Sequence, residues 1–193
     1  KNNQEVLTNN NNQKEIKNSQ EGNKKTPEVI HAPALTKNDF DINDNSISIS
    51  LGEDWKGSEF LEKQGIKEIG SNFVGNPFEN LRYKSYVHDF KDFKIYITDF
   101  KAIENYSISQ IDVLSERFFT SRGIKIGSLK EDIQQKYGAV KSSKEDGYEV
   151  LSYSLDEYYI DFVMDKDQVK LIRLGWIPRN LEKEPESGIP KLY

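Results

Sequence analysis

The chain has 193 residues, a net charge of −5, no cysteine and two histidines. The lack of cysteine excludes disulfide scaffolds, cysteine-ligated zinc, iron–sulfur clusters and thiol catalysis, and two histidines far apart in sequence argue against a histidine-based metal site. A phosphate-backbone binder presents a basic surface; the acid excess here persists in residues 29–193, so nucleic acid is disfavoured as a partner.

Residues 1–35 read as a disordered Asn/Lys-rich linker. Residues 1–28 hold eight Asn and three aliphatic side chains, Val6, Leu7 and Ile16, too little apolar area to offset chain entropy. The functional reading of such a segment is a spacer that holds a domain away from a surface. Tethers of this kind follow the lipidated cysteine of bacterial lipoproteins, which here would stand just before Lys1. No stretch reads as a signal peptide or approaches the roughly 18–20 apolar residues of a membrane span.

Residues 47–52 alternate as a strand ending at Gly52, and residues 58–64 read as a short helix ended by Gly65. Residues 67–80 are rich in Gly and Asn, with a turn at Asn76-Pro77, and read as a long loop. Residues 81–87, Phe93–Thr98 and the spacing of Ile108, Ile111 and Val113 read as strands. In the second half, residues 124–127 read as a strand ending in Gly. Ser128-Leu129-Lys130-Glu131 is an S-x-x-E capping box. Leu129, Ile133 and Tyr137 then share one helical face, and Gly138 stands at the helix end. Tyr148–Leu155, 158–164 and 169–176 alternate, separated by the turns Asp156-Glu157 and Asp165-Lys166-Asp167, which predicts an antiparallel meander. Residues 179–193 read as an irregular tail. The halves match segment by segment. The expected fold class is therefore α+β, with two tandem units, 36–115 and 116–178, each a short helix packed on an antiparallel β-meander. The units would share one sheet or pack side by side.

The run Gly123-Ile124-Lys125-Ile126-Gly127-Ser128-Leu129-Lys130-Glu131-Asp132-Ile133-Gln134-Gln135-Lys136-Tyr137-Gly138 resembles a pattern of secreted bacterial proteins. There a "G-I-x-I-G" strand leads into a helix "S-x-x-E-[DE]-[IV]-x-x-x-Y-G" and then a meander. The pattern is similar to the repeat of the β-lactamase-inhibitor-protein-like fold and to the unit of small bacterial envelope lipoproteins. Over roughly residues 45–176 the resemblance implies a sheet whose single concave face grips a partner, in a protein that is secreted or anchored outside the membrane. The chain lacks the cysteines such domains often use, and no inhibitory loop residue carries over. Fold and compartment are what the resemblance implies, and β-lactamase inhibition is not.

Catalytic kits are missing from the sequence. There is no G-x-S-x-G around a serine and no G-x-x-x-x-G-K-[ST] phosphate loop. Ser128 reads as a cap. His88 ends a strand with no nucleophile near it in sequence, and His31 lies at the exit from the linker. Asp156, Glu157, Asp165 and Asp167 are turn residues. Asp165-x-Asp167 begins like a calcium loop but lacks its later Gly and Glu. No catalytic residue, metal ligand or cofactor is expected. Aromatics remain, and on strands half of them should face a core and half should face out. Tyr83, Tyr86, Tyr96, Tyr153, Trp55 and Trp176 are the binding candidates, because a tyrosine offers a large contact area with a hydrogen-bonding tip suited to protein or glycan. The expected function is a non-enzymatic extracytoplasmic binding or scaffold module, reaching a membrane only through a lipid anchor upstream of Lys1. The competing expectation is a hydrolase using acidic residues in a cleft between the two units.

Overall fold

A computed structural model describes residues 32–75, 84–100 and 105–177. A 3-10 turn, η1 (Lys37–Phe40), leads into β1 (Asp41–Asn43), β2 (Ser48–Ser50), α1 (Ser58–Glu62), β3 (Glu68–Gly75), β4 (Ser85–Phe90), β5 (Phe93–Thr98) and β6 (Ser107–Val113). There follow β7 (Phe119–Thr120), α2 (Lys130–Tyr137), β8 (Ser143–Glu145), β9 (Tyr148–Leu155), β10 (Tyr158–Asp165) and β11 (Gln168–Trp176). β1 joins β2 and β7 in a small sheet, and the other strands form one eight-stranded sheet in the order β3-β4-β5-β6-β11-β10-β9-β8. Every pairing in both sheets is antiparallel.

Period-two alternation explains the strands and sorts their side chains onto two faces. The register carries two apolar rows across the middle of the large sheet. One runs Phe93, Val113, Ile172, Phe162, Leu151, and the next runs Ile95, Ile111, Leu174, Ile160, Tyr153. All ten residues are buried. This inner face is covered by the small sheet, η1 and the helices. Tyr137 of α2 packs on the rings of Tyr153 and Phe162, Phe118 packs edge-on to Phe93, and Phe40 packs on Tyr158. The buried side chains of both halves form a single core cluster. The hairpins are tight because their turn residues take the left-handed region. Asp146 and Gly147 both have positive φ at β8–β9, and Asp156 and Lys166 do so in the next two turns, the conformation that matches strand twist.

One clasp fixes the start of the described chain. Arg122 donates from Nε and Nη2 to the two carboxylate oxygens of Asp39, both at 2.7 Å. Its Nη1 also donates to the carbonyls of Lys136, the last turn of α2, and Pro33, while Nη2 donates to that of Ala34. A cation at a helix C-terminus is favourable, and here it joins three segments.

The fold-class expectation is corrected by this topology. The described residues are mostly strand, with two short helices and two antiparallel sheets, rather than an α+β pair of tandem helix-plus-meander units. The helices span only five and eight residues, and they share the cover of one core with a second sheet. Local readings shift as well. The part of 67–80 that is described is β3, whose pairing with β4 overrides its Gly and Asn content. Residues 124–127 are not a strand, because Gly123 and Gly127 both take positive φ and turn the chain. The cap of α2 is shifted by one residue. Asp132 accepts from the Leu129 amide, while the Ser128 hydroxyl accepts from the Lys125 amide. The predicted strand 81–87 is described only from residue 84, and β4 runs on to Phe90.

Candidate binding face

The opposite, outer face of the large sheet carries a different pair of rows. One runs Asp89, Lys94, Asp112, Arg173, Asp161, Ser152 across six strands, each residue opposite the next in register. The other runs Val87, Tyr96, Gln110, Gly175, Tyr159, Ser154. The first row alternates acid and base over five residues, and opposite charges placed across strands support each other by about 0.2–1 kcal/mol per pair.

The middle of this face is knit together. Lys94 Nζ lies 2.9 Å from Asp89 Oδ1. Arg173 Nε donates to Asp112 Oδ1 and its Nη1 donates to Glu145 Oε1, both at 3.3 Å. Gln110 Nε2 donates to Asp112 Oδ1 at 2.9 Å, and the Tyr159 hydroxyl donates to Gln110 Oε1 at 3.5 Å. Asp112 is 6% exposed within this network. Burial pushes its carboxyl up from the ordinary range, against the pull of Arg173 and Gln110. Burial likewise raises Asp161, which Ser152 hydrogen-bonds, and the hydroxyls of Tyr96 and Tyr159. Both tyrosines are therefore neutral hydrogen-bonding groups at neutral pH. Gly175 makes room for one of them: a Cβ there would meet Tyr159 Cζ at 2.0 Å, so the ring lies directly across the glycine backbone.

The sequence-predicted residues divide between the faces. Tyr96 stands on the outer face, between Val87 and Gln110. Tyr153 is buried on the inner face, and its hydroxyl donates to the Gly138 carbonyl at 2.7 Å. Tyr86 is half-buried on the inner face, edge-on to Phe73 and Tyr106. Trp55 packs against the core with its ring 4.8 Å from that of His88. Trp176 packs on the inner side against Phe100 and Tyr158. Tyr83 lies outside the described residues. Reading for aromatics passed over Tyr159 in favour of other rings and missed Lys94, Gln110, Asp112, Arg173 and Asp161. Their signal was the polar phase of each alternating strand, as in Ile172-Arg173-Leu174.

His88 belongs to a separate inner-face pair, with Nδ1 2.8 Å from Glu68 Oε1. Burial would raise the Glu68 carboxyl, but hydrogen bonds from Ser58 and His88 hold it below its usual range. Ser58 and Ser71 both hydrogen-bond this carboxylate, and the Glu68–His88 pair ties β3 to β4. Among the described residues no group of three or more His, Asp or Glu is placed to hold a metal ion, and no helix is long and apolar enough to cross a membrane.

No protein-family model matches the chain, and no curated protein matches it. Among solved structures, a cysteine-rich secretory protein from Staphylococcus aureus is similar with 18% identity and a TM-score of 0.39, over 65% of this chain. The match spans 44% of that protein, less than half its length, and the present chain has no cysteine.

Proposed function

We propose that this protein is a non-catalytic extracytoplasmic binding module that holds a protein or glycan partner on the outer face of its eight-stranded sheet, with the Asn-rich segment as its spacer. The observation that carries the reading is the pair of polar rows crossing that face: five alternating charges beside Tyr96, Gln110 and Tyr159. Networked side chains lose little freedom on binding, which lowers the cost of association. Tyrosines next to charges give contact area and directional hydrogen bonds together.

The competing reading, a hydrolase with acidic residues in a cleft between two units, has less support, because both halves share one large sheet and one core cluster. Asp112 and Asp161, the two carboxyls that burial raises on this face, flank Arg173 in the register. A permanent cation stands where the scissile bond would have to lie between them. The test is capture of envelope proteins and glycans by the full chain, compared with Lys94→Ala and Tyr96→Ala on the outer face and Lys130→Ala at the start of α2. Partner recovery should fall at least about tenfold for the outer-face variants and stay unchanged for Lys130→Ala. Equal recovery by all three, or no partner and no glycan at all, overturns the reading.

A further inference from the structure

The two edges of the large sheet are built differently. β8 is three residues long, Ser143-Lys144-Glu145, all exposed and polar. A short charged strand is a protected edge. β3 is eight residues long, contains no Lys, Arg or Pro, and exposes Ile69 (71%), Phe73 (62%) and Val74 (48%). One side of β3 pairs with β4, and among the described residues no strand pairs with its other side. A long edge with apolar side chains and an open backbone ladder is a template for another strand.

The order of residues in β3 says which strand fits. Antiparallel pairing about Ser71 sets Ile69 of one copy opposite Phe73 of the other, and does so twice. Ser71 and Phe73 share the inner face, opposite His88 and Tyr86 of β4, while Ile69 lies at a register shift where β4 leaves it unpaired and is exposed. Gly70 then stands opposite Asn72 on the outer face. Glu68, the one charged residue of the strand, lies beyond the register shift and meets no like charge in this pairing. The register shifts beside Ile69 and Val74 confine the regular stretch to residues 70–73, so the contact is short and its population depends on concentration. We propose that β3 is a self-association edge: two copies of this chain pair antiparallel through β3 about Ser71, joining their eight-stranded sheets into one. The self-complementarity of the strand is what singles out a second copy, since a foreign strand would need no such symmetry.

Sedimentation velocity on the full chain, from about 10 to about 500 µM, reads the equilibrium. Dimer should grow with concentration. Ile69→Lys and Phe73→Glu, both at exposed positions, should each weaken it at least tenfold. The double variant should recover it, because the introduced ammonium of one copy then faces the introduced carboxylate of the other, twice. A monomer at every concentration overturns the proposal. So does a dimer indifferent to either single change, which would use another surface. Failure of the double variant to recover overturns the pairing about Ser71.

Discussion

Replacing Asp39 by Asn should loosen the clasp that joins η1 to the end of α2. The Asp39 side chain is 6% exposed, and it accepts from Arg122 at two points, from the Thr36 amide at 2.7 Å and from the Ser121 hydroxyl at 3.0 Å. Burial is the largest single influence and opposes its charge, but the hydrogen bonds from Arg122, Thr36 and Ser121 and the Arg122 charge together outweigh it, and the carboxyl falls from 3.8 to about 2. At about 1.4 kcal/mol per pKa unit, that displacement corresponds to stability on the order of 2 kcal/mol. An uncompensated buried partner adds to the loss, since breaking such a pair costs about 3–5 kcal/mol when both groups are fully buried. Arg122 keeps three carbonyl acceptors, at Pro33, Ala34 and Lys136, so the expected cost at pH 7 is about 2–4 kcal/mol. A depressed carboxyl contributes its stability above the unfolded pKa and loses it as pH falls through the folded one. Urea unfolding of both proteins should therefore show a gap that is constant above about pH 4 and narrows as pH falls toward 2. A gap below about 0.5 kcal/mol, or one that does not change with pH, would refute the reasoning.

Gly175→Ala puts a methyl where the Tyr159 ring lies, 2.0 Å from Cζ, so the ring must swing off the outer face. Partner capture should fall, while stability measured in urea changes by about 1–2 kcal/mol; an unmoved ring in a variant structure counts against this. Tyr153→Phe removes the 2.7 Å bond to the Gly138 carbonyl. It should cost about 0.5–1.5 kcal/mol and leave capture untouched, because that ring packs inward on Tyr137 and Phe162. Lost capture in Tyr153→Phe would mean that the outer face is not the binding surface.

Legibility followed locality. β5 and β9 have the bounds that alternation predicts, Phe93–Thr98 and Tyr148–Leu155, because a half-buried strand writes its period into adjacent residues. β3 was hidden: Gly70, Asn72 and Gly75 are loop-like by composition, and only the partner strand β4 overrides them. The helices were overweighted for a related reason. A cap signal and a terminal glycine are strong and short-range, whereas the pairing of Val113 with Ile172 leaves no local mark. At the candidate face, Tyr153 shares its phase with Leu151 and Leu155, so its inward direction was readable. The polar phase of Lys94, Asp112 and Arg173 was readable too. That these three would line up depended on strand order, which no single segment encodes.

The joint between β6 and β11 has a consequence for how the molecule comes to exist. Residue 113 pairs with residue 172, so the middle of the sheet closes only when nearly the whole described chain is available. The strands to either side are joined to sequence neighbours, β3 through β6 and β8 through β11, and hairpins of that kind form within about 1–10 µs. Non-local pairing is slower, because loop-closure entropy is spent before any contact repays it. During synthesis β6 is therefore a free edge bearing Ile108, Ile111 and Val113, the residues that end in the deepest part of the core. A strand that is central in the finished sheet is thus open to misassociation in the nascent chain until β11 arrives to cover it.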